Sequence, residues 1–153
     1  MRRAVAADAE AIAEVHTRTW QVGYRGVLPD EFLDAMDWRQ RVEPWRRNLE
    51  NGTVHVAVAG PVVGFIAMGP ARGVPDTYEL YAIYVRPESW GTGAADELIA
   101  VLPAQTTVLW VLAENPRARR FYERHGFVLD GETRVDTIGG REVAEVRYTH
   151  VSP

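Results

Sequence analysis

The first fifty residues carry apolar side chains mainly at helical spacing. A short strand is predicted over residues 1–6, and Asp8 is placed to cap a helix that begins near Ala9. Glycines and a proline interrupt the pattern between residues 23 and 29. Asp30 is then predicted to cap a second helix, and a third is predicted over Arg39–Leu49, ended by Asn51-Gly52. This half of the chain is therefore predicted to supply helices to one side of a sheet.

From residue 54 onward the pattern becomes that of strands separated by two helices. The predicted helices are 94–102 and 116–125, and the second is followed by Gly126 at a position that suits a left-handed C-cap. An antiparallel meander comes first and a β-α-β unit follows, which predicts one mixed α+β domain, or a three-layer α/β/α domain, over residues 1–153. The predicted strands are 54–58, 62–68, 78–85, 106–113, 127–129 and 142–151, with a turn at Ala59-Gly60-Pro61, a loop over 69–76 and a connection through Gly139-Gly140.

The composition excludes several kinds of chemistry. The 153 residues include no cysteine and no lysine, so thiolate nucleophiles, disulfides, Schiff bases and a P-loop lysine are absent. The serines, Ser89 and Ser152, lie outside any G-x-S-x-G elbow, and the four histidines are too scattered to predict a metal site. The remaining possibilities are an enzyme that positions its substrates and transfers a proton, or a protein that only binds a ligand.

Charge and hydropathy bear on partners and location. The net charge of −4 argues against nucleic acid as a partner. No apolar run is long enough to cross a bilayer, and no apolar segment follows the basic residues at the N-terminus. We therefore expect a cytoplasmic protein with no membrane partner.

A glycine loop follows the strand over 78–85 and opens the helix over 94–102. Gly91 and Gly93 remove Cβ atoms that would keep a ligand from the backbone, and the first helical amides form an anion site suited to a pyrophosphate. Two ligands fit this pattern. A nicotinamide dinucleotide would use Glu114 as the ribose acid, although Asp96 occupies the third glycine position of that fingerprint. The second ligand is coenzyme A.

Two motifs favour coenzyme A. The run Val85-x-Pro87-x-x-Trp90-Gly91-x-Gly93-x-Ala95 resembles the Q/R-x-x-G-x-G/A loop of the GCN5-related N-acetyltransferases (GNAT), with Trp90 in place of the usual glutamine or arginine. Downstream, Asn115-Pro116-x-Ala118-x-x-Phe121-Tyr122-x-x-x-Gly126-Phe127 resembles the helix of the same family. The resemblance implies a three-layer fold with a mostly antiparallel, splayed central sheet. It also implies an enzyme that moves the acetyl group of acetyl-CoA directly onto a primary amine in a ternary complex.

The resemblance also implies binding residues. The strands that end near Val85 and Ala113 are expected to diverge and hold the pantetheine arm against the backbone of Ile83 and Val85. The residues expected to bind the coenzyme are Ile83, Tyr84, Val85, Trp90, Gly91, Thr92, Gly93, Ala94, Ala95 and Asn115, although Asn115 would equally serve as a helix cap. The expected acceptor residues are Trp20, Tyr24 and Arg25, which would equally suit a packed core.

Two residues are candidates for proton transfer. Amines are mostly protonated at neutral pH, and Glu79 is placed to accept that proton, directly or through water. Strand alternation predicts that Glu79 shares a face with Tyr81, Ile83 and Val85, although an exposed strand carboxylate is an equal alternative. Tyr122 matches the usual general acid of the family and would donate to the departing thiolate. His16 and His125 are interpreted as surface or helix-end residues.

Other functions stay open at the level of sequence. A non-catalytic acyl-CoA-binding module would keep the same loop, and the nicotinamide-dependent oxidoreductase is the third alternative. The acceptor is expected to be a small-molecule amine or a peptide N-terminus, and a homodimer is a possible assembly.

Overall fold

A mixed seven-stranded sheet forms the centre of the protein. The computed structural model describes residues 1–51, 53–58 and 61–151, so the predicted helix end at Gly52 and the predicted turn residues Ala59 and Gly60 lie outside the described residues. The strands are β1 (Arg2–Arg3), β2 (Thr53–Val58), β3 (Val62–Pro70), β4 (Tyr78–Val85), β5 (Thr107–Leu112), β6 (Val128–Ile138) and β7 (Arg141–His150). The α-helices are α1 (Ala9–Gly23), α2 (Asp30–Asp34), α3 (Val42–Asn51), α4 (Ala94–Ile99) and α5 (Pro116–Arg124).

The strand order is β1-β2-β3-β4-β5-β7-β6, and every neighbouring pair is antiparallel except β4 and β5. Helices cover both faces. On one face, Leu98 of α4 and Tyr122 of α5 join a buried cluster with Ile66 and Leu109. The residues of α1 and α3 pack with Phe65 on the other face. The predicted three-layer α/β/α fold with a mostly antiparallel sheet is confirmed.

Several predicted element ends differ from the structure near the N-terminus. β1 is shorter than the strand predicted over 1–6, because the Asp8 carboxylate accepts the Val5 N–H at 2.8 Å and starts a 3-10 turn. Asp8 makes no side-chain cap on α1. Pro29, rather than Asp30, precedes the first turn of α2, and the predicted third helix begins as a 3-10 turn over Trp38–Arg41.

The largest error concerns β6. The sequence predicts a strand over 127–129, whereas β6 runs from Val128 to Ile138. Its residues are exposed up to Thr137, so burial imposes no apolar alternation on them. The predicted connection through Gly139-Gly140 is confirmed, and both residues adopt positive φ angles of 61° and 78°. Among the described helices, none is both long and apolar enough to cross a bilayer.

His16 lies among aromatic rings, contrary to its interpretation as a surface or helix-end residue. Its ring stacks on Tyr84 with centroids 5.3 Å apart, and Nδ1 accepts the indole N–H of Trp45 at 3.1 Å. Burial, together with the nearby Arg41 guanidinium, lowers the pKa of His16 from 6.5 to about 3. The imidazole is therefore a neutral packing group in the folded protein. His125, the C-cap of α5, does lie at a helix end, as predicted.

This burial predicts a pH-dependent stability. The unfolded chain binds a proton at His16 below pH 6.5 and the folded chain does not, so the free energy of unfolding falls as pH drops from 6.5 towards 3. The slope contributed by His16 reaches about 1.4 kcal/mol per pH unit. Urea denaturation at a series of pH values between 7 and 5 should show this slope. His16→Gln, which keeps an acceptor for Trp45, should flatten it.

Candidate active site

A cleft of about 1040 Å³ opens where β4 and β5 separate. The two strands pair only at Tyr78 with Thr107 and at Glu79 with Val108. Beyond these pairs β4 continues to Val85 on one side of the cleft and β5 to Leu112 on the other. The splayed sheet predicted from the sequence is thus confirmed. Of the residues predicted for the site, the cleft is lined by Trp20, Tyr24, Glu79, Ile83, Tyr84, Val85, Trp90, Gly91, Gly93, Ala94, Ala95, Asn115 and Tyr122.

The backbone of β4 directs polar groups into this cleft. The Arg86 N–H donates to the Val63 carbonyl at 2.7 Å, so antiparallel alternation turns the amide groups of Val85 and Ile83 away from β3. The Val85 carbonyl accepts the Trp90 indole N–H at 2.7 Å and the Thr19 hydroxyl at 3.3 Å. An extended ligand in the cleft would therefore meet the N–H of Val85 and both backbone groups of Ile83.

The glycine loop forms an open cradle at one end of the cleft. Gly91 and Gly93 have φ angles of 77° and 88°, which side chains rarely adopt. A Cβ atom built on either glycine would meet nothing within 4 Å, so the space beside the backbone is open. The Thr92 hydroxyl donates instead to the Ser89 carbonyl at 2.6 Å, and Thr92 is not among the described residues that line the cleft. The Thr92 side chain is thus bonded within the loop, and the role of Thr92 in binding the coenzyme stays a prediction.

Trp90 and Arg117 form a stacked pair beside the cradle. The Arg117 guanidinium lies 3.6 Å from the centroid of the Trp90 ring, and partial burial lowers its pKa from the ordinary value. In the described part of the chain, no carboxylate pairs with Arg117. Sequence reasoning missed this residue because it lies on α5, far along the chain from the glycine loop. The stack fixes a guanidinium beside the loop position at which the family usually has glutamine or arginine.

Helix α5 contributes two further residues to the cleft. The Asn115 side chain caps this helix by accepting the Ala118 N–H at 3.2 Å, and it also lines the cleft. Tyr122 is 9% exposed, and burial raises its pKa well above the usual value for a phenol. Tyr122 therefore keeps its proton over the physiological range and can act as a donor.

Glu79 occupies the point where β4 and β5 part. It is 3% exposed, which excludes the exposed strand carboxylate considered above. Oε2 accepts from Arg72 Nη2 at 2.7 Å, and Oε1 accepts the Arg72 N–H at 3.2 Å. The Arg72 side chain is 72% exposed, so one side of this ion pair reaches solvent.

A β-bulge overturns the face predicted for Glu79. The register between β3 and β4 shifts near Tyr81, where Ala67 pairs with Ala82 but Met68 pairs with Leu80. Leu80 consequently joins Ile83 in the cluster against α4 and α5. Glu79 does not share a face with Ile83 and Val85, because the extra residue reverses the alternation.

Aromatic side chains at the C-terminal end of α1 line a second part of the cleft, its aromatic end. The Trp20 and Tyr24 rings meet edge to face at 5.0 Å, and burial raises the pKa of Tyr24 well above its usual value. The buried Trp20 indole N–H has no hydrogen-bond partner among the described residues. Arg25 is not among the described lining residues, because it turns outward to pair with Asp30 at 3.3 Å and Asp34 at 2.6 Å. The structure thus separates Arg25 from the other two predicted acceptor residues.

The β6–β7 hairpin brings a second ion pair to this end. Glu145 is 8% exposed and accepts from Arg134 Nε at 2.9 Å, and both residues line the cleft beside Trp110. Sequence reasoning missed Arg134 because the strand predicted over 127–129 ends before it. It missed Glu145 because only the longer hairpin pairs Glu145 with Arg134. No group of histidine, aspartate and glutamate within the described ranges is arranged to hold a metal ion.

Comparison with known proteins identifies the class. The chain matches the model of the Acetyltransferase (GNAT) family over residues 9–127. An uncharacterized N-acetyltransferase of Bacillus subtilis (strain 168) is 30% identical over 126 residues, covering 76% of this chain and 73% of its own. The chain belongs to the GNAT acetyltransferase family and is an N-acetyltransferase that uses acetyl-CoA.

Solved structures agree on the fold. A GCN5-related N-acetyltransferase from Rhodopseudomonas palustris has a TM-score of 0.77 at 20% identity, covering 98% of this chain and 93% of its own. The PaiA N-acetyltransferase from Thermoplasma acidophilum, in complex with coenzyme A, has a TM-score of 0.64 at 18% identity, covering 98% and 96%. The resemblance drawn from the two motifs is confirmed, and neither the oxidoreductase nor the non-catalytic module gains support.

Proposed function

We propose that this protein transfers the acetyl group of acetyl-CoA directly to a primary amine within a ternary complex. The observation that carries the proposal is the short pairing of β4 with β5, which leaves one cleft running from the glycine cradle to the aromatic end. A thioester bound along β4 would present an activated acetyl group between these ends. Without cysteine or lysine, the chain lacks two side chains that could hold the acetyl group covalently.

Different residues would bind the coenzyme, accept the proton of the amine and donate a proton to the thiolate. The open backbone at Gly91 and Gly93, Asn115 and the guanidinium of Arg117 would hold the coenzyme. Glu79 would accept the proton of the acceptor amine, directly or through water, since its buried carboxylate stays within reach of solvent beside Arg72. Tyr122 would donate its proton to the departing thiolate.

The acceptor would bind at the aromatic end. Trp20 and Tyr24 would contact a small-molecule amine or a peptide N-terminus, and Arg25 is left out because it turns away from the cleft. We also propose that residues 1–153 form a single domain, that the protein is cytoplasmic and that it can form a homodimer.

Calorimetric titration of acetyl-CoA, together with assays of thiol release over a panel of amines, tests this function. We expect saturable binding and amine-dependent release of coenzyme A. Binding without release for any amine would instead favour the non-catalytic module. Absence of binding would falsify the proposal.

Arg117→Ala provides a sharper form of the same test. Loss of the stacked guanidinium should weaken acetyl-CoA binding about 10-fold, because a charge-assisted contact to a phosphate is lost. The maximal rate at saturating acetyl-CoA should change little. Arg120→Ala, an exposed arginine on the same helix, is the matched control and should bind as the wild type does. If both variants bound acetyl-CoA with equal affinity, Arg117 would not contribute to binding of the coenzyme.

A further inference from the structure

The acceptor end of the cleft holds a guanidinium that is fixed on one side and open on the other. Arg134 donates through Nε to Glu145 at 2.9 Å. Its guanidinium carbon lies over the Trp110 ring, 4.2 Å from the centroid, so a cation–π contact helps to hold the group in place. Its two terminal nitrogens have no hydrogen-bond partner within the described part of the chain.

The surroundings leave this charge available to a ligand. Arg134 lines the cleft with 44% of its side chain exposed. Asp136, two residues further along β6, also lines the cleft, but it accepts the Thr137 N–H at 2.8 Å and forms no ion pair with Arg134. A planar fork of two free nitrogens matches the two oxygens of a carboxylate.

We propose that Arg134 binds an anionic group of the acceptor, and that the acceptor is an amine that also carries a carboxylate, as a free amino acid does. This inference rests on the proposed acetyl transfer and specifies its substrate class. A carboxylate fits better than a phosphate, because Glu79, Glu145 and Asp136 line the same cleft. A single negative charge meets less repulsion there than a phosphate carrying nearly two.

Paired acceptors test the proposal. Each amino acid is compared with its own amide, which keeps the amine and the side chain but loses the anion, and O-phosphoethanolamine is compared with β-alanine. Initial rates of thiol release should give a higher kcat/KM for each acid than for its amide, and for β-alanine than for the phosphate ester. A preference for O-phosphoethanolamine, or equal values for acid and amide, would overturn the proposal.

Variants of Arg134 test whether this residue causes the preference for acids over amides. Arg134→Gln should lower kcat/KM for the acids about 10- to 100-fold, mainly through KM, and leave the amides little changed. Arg134→Lys keeps the charge without the fork and should restore part of the loss. Arg147 is the matched control: it lies 5.9 Å from the same Trp110 ring but pairs with Asp130 and is not among the described lining residues. Arg147→Gln should keep the preference for acids, and an equal loss in both variants would contradict the assignment.

Two further arms keep the test decisive. If Arg134→Gln destabilises the fold by leaving Glu145 buried without a partner, the double variant Arg134→Gln/Glu145→Gln removes that charge as well. Titration of the same acids and amides into the protein saturated with coenzyme A reads binding without turnover. Acetylation of amines without any preference for acids would overturn only this inference, whereas absence of transfer to every amine would contradict the proposed function itself.

Discussion

Tyr122→Phe is expected to lower kcat for acetyl transfer about 100-fold, the usual size of a lost general acid. The phenol lies in the cleft, and burial raises its pKa well above the ordinary value, so the proton is retained until the thiolate departs. The affinity for acetyl-CoA should change little, because only the hydroxyl is removed. Stopped assays of thiol release at saturating substrates, together with calorimetric binding, separate the two effects.

Tyr148→Phe is the matched control for this variant. Tyr148 is also buried, but its hydroxyl accepts from Arg119 Nε at 3.0 Å and donates to Glu123 at 2.8 Å, and it is not among the described residues that line the cleft. Loss of the Tyr148 hydroxyl should lower the melting temperature of the protein without lowering kcat. If Tyr122→Phe kept the wild-type kcat, the departing thiolate would need another donor.

Glu79→Gln is expected to reduce kcat/KM for the amine about 100-fold at neutral pH, because an amide cannot accept the proton that the amine must lose. The defect should shrink as pH rises, since a larger fraction of the acceptor is then already unprotonated. A pH profile of initial rates for wild type and variant measures this convergence.

Glu142→Gln serves as the control for Glu79→Gln, because Glu142 is an exposed carboxylate on β7. It should leave the profile unchanged. If the pH profile of Glu79→Gln ran parallel to that of the wild type, the ratio of their rates would not depend on pH. Glu79 would then act by shaping the site and not by accepting a proton.

The fold could be predicted where burial imposes a pattern on the sequence. β5 lies between neighbours and is buried along most of its length, so its apolar run identified it. β6 is an edge strand of the sheet and is exposed almost throughout, so nothing in its sequence required alternation. The bulge near Tyr81 was equally hidden, because the register of β4 depends on its partner β3 and not on its own residues.

The residues of the site were also predictable only where a local sequence pattern marks them. The cradle residues Gly91 and Gly93 are separated by one residue in the chain, so the sequence alone placed them in one loop. Arg117 and Arg134 are positioned by ring contacts with Trp90 and Trp110, which come from distant elements. Contacts of this kind depend on how α5 and the last hairpin pack, and no local pattern encodes them. The catalytic roles of Glu79 and Tyr122 remain predictions.

The pairing of β4 with β5 at only two positions also bears on how the protein unfolds. Strands β1–β4 and strands β5–β7 form two half-sheets whose shared ladder is very short. A ligand in the cleft that bonds to the backbone of Ile83 and Val85 on β4 and packs against Val111 of β5 would connect the two halves. Heat resistance should then follow the coenzyme level, growing with the logarithm of its concentration above the dissociation constant. In a cell depleted of acetyl-CoA, the protein would therefore unfold more readily and be cleaved more easily by proteases.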